Sequence, residues 1–317
     1  MKVAIIGLGG MGSTHYNLIR DMDDAEIVAL VDAEESRILE KASQCGARPY
    51  TDIHEMLAKE KPDFADICTP SYLHFQHAVA VMEKGVHVLT EKPAALCADD
   101  VKAMLKCAGD NNVMFMAAHV LRFWPEYIWL KNAVDGGDYG KLLDLNMWRL
   151  GQRPMSSWRN WMMDKEKSGL VPFDLHIHDI DFMVWLLGAP GKSDYYEITG
   201  SAGHFVETAC HYEGTRVRAK AAWFNNAMPF QMGYEALFER GFADFSRDTL
   251  TLYPNGGEPV IPVMTANFEG SEINVANTSG YYNEIRYFMD CIRKNEKPSI
   301  ISGDELITTL NLLRKGP

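Results

Sequence analysis

The chain has no paired cysteines. Its six cysteines stand at positions 45, 68, 97, 107, 210 and 291, with no Cys-x-x-Cys pair and no His/Cys cluster at zinc-finger spacing. That excludes the small zinc modules and points away from a disulfide scaffold. Several of the six lie inside apolar runs, as free buried thiols of a reducing compartment do. A long hydrophobic run is missing too. The opening MKVAIIGLGGMG breaks into glycines after Ile6, too short for the apolar region of a signal peptide, and nothing later approaches a membrane span. A cytoplasmic protein with no membrane partner is expected. Basic charge is also scarce: 31 Lys and Arg face 43 Asp and Glu, for a formal net charge of -12. Such a balance argues against a nucleic-acid partner, although a helix N-terminus can still hold one anionic ligand. Internal repeats and low-complexity tracts are absent. At 317 residues the chain exceeds the usual size of one core, so two domains are expected.

What is present begins with KVAII, a continuous apolar run, followed at once by GLGGMG. The glycines of this GxGxxG are Gly7, Gly9 and Gly12, with Gly10 and Met11 between them. The helix-compatible STHYNLIRDM comes next, and then a second apolar run, EIVALV, ends in Asp32, 20 residues after Gly12. Strand, glycine turn, helix and strand-tip carboxylate together are the context that a dinucleotide fingerprint requires. The first two glycines permit a tight turn and close backbone approach to a diphosphate, and the third lets helix pack on strand. The carboxylate accepts from a ribose diol. Glu34 and Glu35 crowd Asp32 with negative charge, and no Arg follows Asp32 until Arg37, so NAD is favoured over NADP.

Strand-like and helical runs continue to alternate. DFADIC leads into TPSYLH, VHVL into TEKP, and VMFMAA closes the series at Ala118. This pattern gives a doubly wound parallel sheet. Ligands of such sheets collect at the carboxyl ends of the strands, where Thr69, Pro70 and His74 follow one tip and Glu91, Lys92 and Pro93 the next. The motif GxGxxG with CTPSYLH, GVHVLTEKPAAL, LRFWPEY and SGLVPFDLHIHDIDFMVWLLG resembles the Gfo/Idh/MocA family, the glucose-fructose oxidoreductase and inositol dehydrogenase-like NAD(P)-dependent enzymes.

The resemblance implies an N-terminal Rossmann domain (1–120) and a C-terminal α+β domain (121–317). The second has a large, mostly antiparallel sheet through which family members often form oligomers, here a homodimer or homotetramer. It also implies that Lys92 works near the nicotinamide, with an Asp and a His four residues apart, Asp174 and His178, as catalytic partners. In those roles His178 is the general base, since a histidine side chain titrates near neutrality. Asp174 orients it or binds substrate, and Lys92 is a hydrogen-bond donor and proton relay. Spacing alone leaves His178 equally readable as a core or capping histidine. On a helix, residues i and i+4 share a face, whereas His176 and Asp179 point elsewhere. His176 and His178, two apart, diverge, and no metal site is expected.

The loop RPMSSWRNWMMDKEKSG holds Trp158, Arg159 and Trp161, which suit a sugar or cyclitol ring and its hydroxyls but suit a surface cluster or subunit contact equally. Arg122 either lies near the substrate or locks the domains. From Ser193 to Tyr253, short alternating runs broken by glycines read as an antiparallel meander. Tyr281 to Glu296 and Gly303 to Lys315 read as helices, the last returning to the Rossmann domain. The expected activity is NAD-dependent oxidation of a secondary hydroxyl of a sugar, inositol or related polyol. The alternatives are redox-neutral NAD-dependent glycoside cleavage by elimination and a non-catalytic NAD-binding regulator.

Overall fold

Short apolar runs separated by amphipathic ones become, in the computed structural model, strands separated by helices; residues 1–262 and 279–313 are described. The first unit opens with β1 (Lys2–Ile6), α1 (Gly10–Arg20), β2 (Glu26–Val31), α2 (Leu39–Cys45) and β3 (Arg48–Tyr50). It continues with α3 (Ile53–Lys59), β4 (Phe64–Ile67), α4 (Ser71–Met82), β5 (His87–Glu91), α5 (Ala98–Asp110) and β6 (Phe115–Ala118). The six strands run parallel in the order β3-β2-β1-β4-β5-β6. Chain order therefore reverses between β1 and β4, the switch point at which such sheets bind ligands. The strand β3 is three residues long and contains Pro49, which an edge position tolerates because one side of the strand has no ladder to join.

The second unit begins with α6 (Pro125–Gly136), β7 (Leu142–Gln152), the short α7 (Lys165–Ser168) and α8 (Ile177–Leu187). Strands β8 (Lys192–Gly200), β9 (Gly203–Tyr212), β10 (Thr215–Phe224), β11 (Gln231–Phe238), β12 (Gly241–Ser246) and β13 (Thr249–Pro254) follow. Their sheet has the order β13-β12-β11-β7-β10-β9-β8, and only β7 with β10 pair in parallel. Alternate residues of β7 (Leu145, Met147, Arg149) are buried. Their neighbours Asn146, Trp148 and Leu150 line the opposite face, the period-2 pattern of a sheet with unequal sides.

The two helices that close the chain are α9 (Ser279–Lys294) and α10 (Gly303–Leu312). Here the structure corrects the expected boundary. Residues 279–303 belong with residues 1–120, and 304–313 with the second unit. The helix that joins the parallel sheet is thus α9, packed on α1 and β5. Its buried Ile285, Phe288 and Met289 form an apolar stripe, and the ring of Phe288 meets Phe64 edge-on at 5.5 Å. The expected end of the last helix at Lys315 lies outside the described residues. Among the described residues no helix is long and apolar enough to cross a membrane, and all six cysteines are free.

Candidate functional site

After β1 the chain turns at Gly7, whose φ of +94° is a conformation that side chains disfavour. A Cβ there would also stand 2.8 Å from the carbonyl carbon of Cys68. At Gly12 a Cβ would collide with the Gly7 carbonyl oxygen. Gly9 differs, since nothing lies within 4 Å of where its Cβ would be. The protein's own packing does not demand that glycine, whereas a ligand brought close to the backbone does. Helix α1 starts at Gly10 with no side-chain cap and no acidic residue in its first turn. The N–H groups of Gly10, Met11 and Gly12 thus keep their affinity for an anion. Open space at Gly9 and an uncapped N-terminus fit a dinucleotide's diphosphate.

At the tip of β2, Asp32 accepts from the Leu8 N–H at 2.7 Å with one oxygen and from the Glu34 N–H at 2.9 Å with the other. These bonds orient the carboxylate and leave each oxygen a lone pair for a diol. In sequence the first Arg after Asp32 is Arg37. A single 3₁₀ turn, Glu35–Arg37, brings its guanidinium back to 4.0 Å from Asp32.

The tips of β4 and β5 are joined through His74. Its Nε2 lies 2.6 Å from the Thr69 carbonyl oxygen and its Nδ1 2.7 Å from that of Pro93. Because His74 is buried and both nitrogens face main-chain acceptors, it holds the two loops together and does not itself reach a cofactor, correcting the expectation of direct binding. Burial lowers its pKa, the two carbonyls pull it up, and the charge of Lys92 lowers it further. Pro70 leads into α4, and the Thr69 hydroxyl pairs with His77 at 3.2 Å. Burial drops the His77 pKa to about 4, so that ring is neutral. Glu91 ends β5, 6 % exposed, and accepts the Lys92 N–H at 3.0 Å. The Lys92–Pro93 peptide is cis.

In the second unit, Asp174 lies in a π turn, Pro172–His176, that runs directly into α8. Such turns are frequent at functional sites. Asp174 and His178 are both partly exposed, while the intervening His176 and the following Asp179 are buried. His176 bonds to the Thr208 hydroxyl at 2.8 Å, and burial takes its pKa down to about 3. It is a core residue. Arg122 is buried as well. Its guanidinium grips Asp181 with two hydrogen bonds, 2.9 and 2.7 Å, and reaches Glu305 at 2.8 Å. A side chain so enclosed does not meet a substrate, which corrects that assignment. Arg159 is exposed and stacks on Trp158, with Cζ 4.4 Å from the ring centroid. Trp161 follows in the same 3₁₀ segment, Trp158–Met163, where Arg159 and Asn160 both take left-handed backbone angles.

Two buried constellations escaped the sequence reading. One is His15 with Asp66, Cys68 and Glu91; the other is Arg149 with Asp179 and Tyr127. Asp66 had a legible signal, a carboxylate in the middle of the apolar run FADI. Among the described residues, His15, Asp66 and Cys68 form the one cluster of metal-type donors. Its His15 Nδ1 and Asp66 Oδ2 are 2.8 Å apart, a hydrogen bond. Two ligands of a tetrahedral ion with bonds of about 2.0–2.1 Å stand roughly 3.3 Å apart, so the pair is not set as ligands.

The glycine turn, the uncapped α1 and the strand-tip Asp32 define a dinucleotide-binding fold, joined in the same chain to a second, mostly antiparallel unit. Residues 1–119 match the oxidoreductase family with the NAD-binding Rossmann fold, Gfo/Idh/MocA, and residues 127–227 match the Gfo/Idh/MocA C-terminal domain. The chain belongs to the Gfo/Idh/MocA family. It is 30% identical over 197 residues to a 2,7-anhydro-N-acetylneuraminate hydratase of Mediterraneibacter gnavus, covering 62% of this chain and 51% of that protein. It is 28% identical over 336 residues to a scyllo-inositol 2-dehydrogenase (NAD(+)) of Bacillus subtilis, covering 98% of this chain and 91% of that protein. The chain spans about half the length of several curated relatives that it matches, the hydratase included. Its fold is shared with an oxidoreductase from Agrobacterium radiobacter solved with NAD+, L-tartaric acid and magnesium. That likeness has a TM-score of 0.84 and 19% identity, over 99% of this chain and 94% of the other.

Proposed function

We propose that the chain is an NAD-dependent dehydrogenase that oxidises a secondary hydroxyl of a sugar, inositol or related polyol. The observation that carries this reading is the placement of Lys92. It follows β5 on the sheet edge that holds the glycine turn and Asp32, with its backbone fixed by Glu91. NAD, when bound, accepts the hydride from the hydroxyl-bearing carbon. Gly7, Gly9, Gly10, Met11 and Gly12 would hold its diphosphate, and Asp32 its ribose. Lys92 donates a hydrogen bond to the reacting oxygen and relays its proton. His178 is the general base that takes the proton of the hydroxyl, and Asp174 orients that histidine. The stack of exposed Arg159 on the half-buried Trp158 supplies a ring face and a cation suited to a polyol. The B. subtilis relative, an inositol dehydrogenase matched along nearly its whole length, supports this substrate class.

A redox-neutral reaction is the second reading, favoured by the M. gnavus hydratase. There, transient oxidation beside a leaving group permits elimination or hydration with no net change in NAD. A panel of sugars and cyclitols, followed by NADH absorbance and by product analysis, separates the two. NADH accumulating with a polyol supports dehydrogenation. Release from an aryl glycoside without net NADH supports the redox-neutral reading, and neither result with NAD bound removes both.

The protein is further proposed to act in the cytoplasm as a homo-oligomer assembled through the open face of the second sheet. Tyr196 and Ile198 are 55% and 52% exposed there, and Leu237 and Tyr253 share the face by register. A depression of about 440 Å³ on it holds Glu207, Glu235, Arg218 and Lys220. Mixed charge of this kind lets a face pair with its own two-fold copy. Sedimentation of wild type and of Tyr196→Asp with Leu237→Asp tests it, and a monomeric wild type removes it.

A further inference from the structure

The first unit buries charge that a parallel sheet ordinarily excludes. His15 on α1, Asp66 in β4 and Glu284 on α9 are fully enclosed, and Glu91 nearly so. Buried ions are tolerated when paired and destabilising when not. His15 sits between two of the acids. Its Nδ1 hydrogen-bonds Asp66 Oδ2 at 2.8 Å, and its Nε2 is 3.4 Å from Glu91 Oε1, an ion-pair distance without a hydrogen bond. Ionised carboxylates only accept, so a neutral ring would turn a lone pair toward one of them. An imidazolium donates to Asp66 and sets its positive charge beside Glu91.

We propose that His15, protonated on both ring nitrogens, is the positioning residue for Lys92. It ties Asp66 to Glu91, and Glu91 in turn accepts the Lys92 N–H at 3.0 Å. Because His15 rides on α1, one side chain links the helix whose first turn faces the diphosphate to the strand tip that carries the lysine. His15 acts through Glu91 and touches neither substrate nor cofactor.

The surroundings agree. Burial alone would lower the His15 pKa, but Asp66 and then Glu91 more than offset it, and the net shift is upward. Glu91 is itself shifted up by burial, against the pull of His15 and Lys92. The other groups around the ring are the Cys68 thiol, 3.5 Å from Nδ1 and kept protonated by burial, and Tyr281 of α9, centroid to centroid 6.1 Å. Glu284 of α9 acts on Cys68. The sign of the linkage follows. With its folded pKa raised, His15 contributes stability that is complete below its unfolded value, about 6.5, and is lost as pH rises through the folded value.

Nitrogen-15 NMR of histidine-labelled wild type, with His15→Gln to assign the resonance, tests the charge. Both ring nitrogens should be protonated at neutral pH, and a neutral tautomer there overturns the proposal. The kinetic arm alone rests on the dehydrogenase reading. In His15→Gln, kcat should fall roughly ten- to a hundredfold with the KM for NAD within about threefold, and the pH profile of kcat should change shape. A kcat and a pH profile like those of wild type overturn the proposal. Should His15→Gln not fold, Glu91→Gln serves: the His15 titration should move to lower pH by about one unit, and an unmoved titration overturns the pairing. If wild type oxidises no polyol, the dehydrogenase reading fails while the NMR result still decides the charge.

Discussion

His74 and Pro93 are joined by a 2.7 Å contact from the imidazole Nδ1 to the proline carbonyl, while the opposite ring nitrogen holds Thr69 at 2.6 Å. One side chain on α4 thereby spans two adjacent strand tips. Replacing His74 by Asn leaves at most one of the two contacts, of which the neutral ring donates one as a hydrogen bond. The expected loss is about 1–2 kcal/mol of stability, with a larger fall in kcat than in NAD affinity, because the Lys92 loop is freed. Urea unfolding, NAD titration and kcat together check it.

On the proposed reading, Asp32 and Arg37, 4.0 Å apart, set the cofactor preference between them. Asp32→Ser removes the ribose acceptor and the counter-charge of Arg37 together. NAD affinity should fall roughly ten- to a hundredfold, since hydrogen bonds to a charged group contribute about 1.5–3 kcal/mol. NADP affinity should rise, and a further Arg37→Ala should remove that gain. Calorimetric titration of both dinucleotides measures the ratio.

Breaking the buried Arg122–Asp181 pair should be severe. Arg122→Ala strands the Asp181 carboxylate, and removing one partner of such a pair costs about 3–5 kcal/mol. The denaturation midpoint should drop accordingly. The alternative role, direct substrate contact, would instead raise KM at unchanged stability.

Asp179 lies 3.1 Å from the Arg149 guanidinium, yet burial pushes its pKa up to about 6. A carboxyl whose pKa is higher folded than unfolded stabilises the fold more at low pH. Relative to Asp179→Asn, wild type should therefore gain stability as pH falls from 7 toward 5, by at most on the order of 3 kcal/mol. Thermal melts of the two proteins across that range give the difference.

The parallel sheet was legible because its signals are local. KVAII–GLGGMG, EIVALVD and the FADIC and VHVLTE runs declare strand, turn and tip within a few residues each. The three-residue β3 announces nothing by periodicity, and the return of α9 to the first unit depends on which stripe its apolar face meets. Arg122 and His74 stand beside motifs in the sequence, but their partners are not legible there. Spacing reveals that a polar side chain stands beside a motif, not that a carboxylate 59 residues on, Asp181, or a proline carbonyl across the turn will claim it. Burial decided both cases, and burial is the property that a single sequence reports least.

NADH formation by wild type, Lys92→Ala and His178→Ala, each with confirmed NAD binding, across sugars and cyclitols tests the central claim most directly. At least one polyol should reduce NAD with wild type, and both variants should lose about a hundredfold or more in kcat. No reduction with any polyol, or variants as active as wild type, would contradict the account.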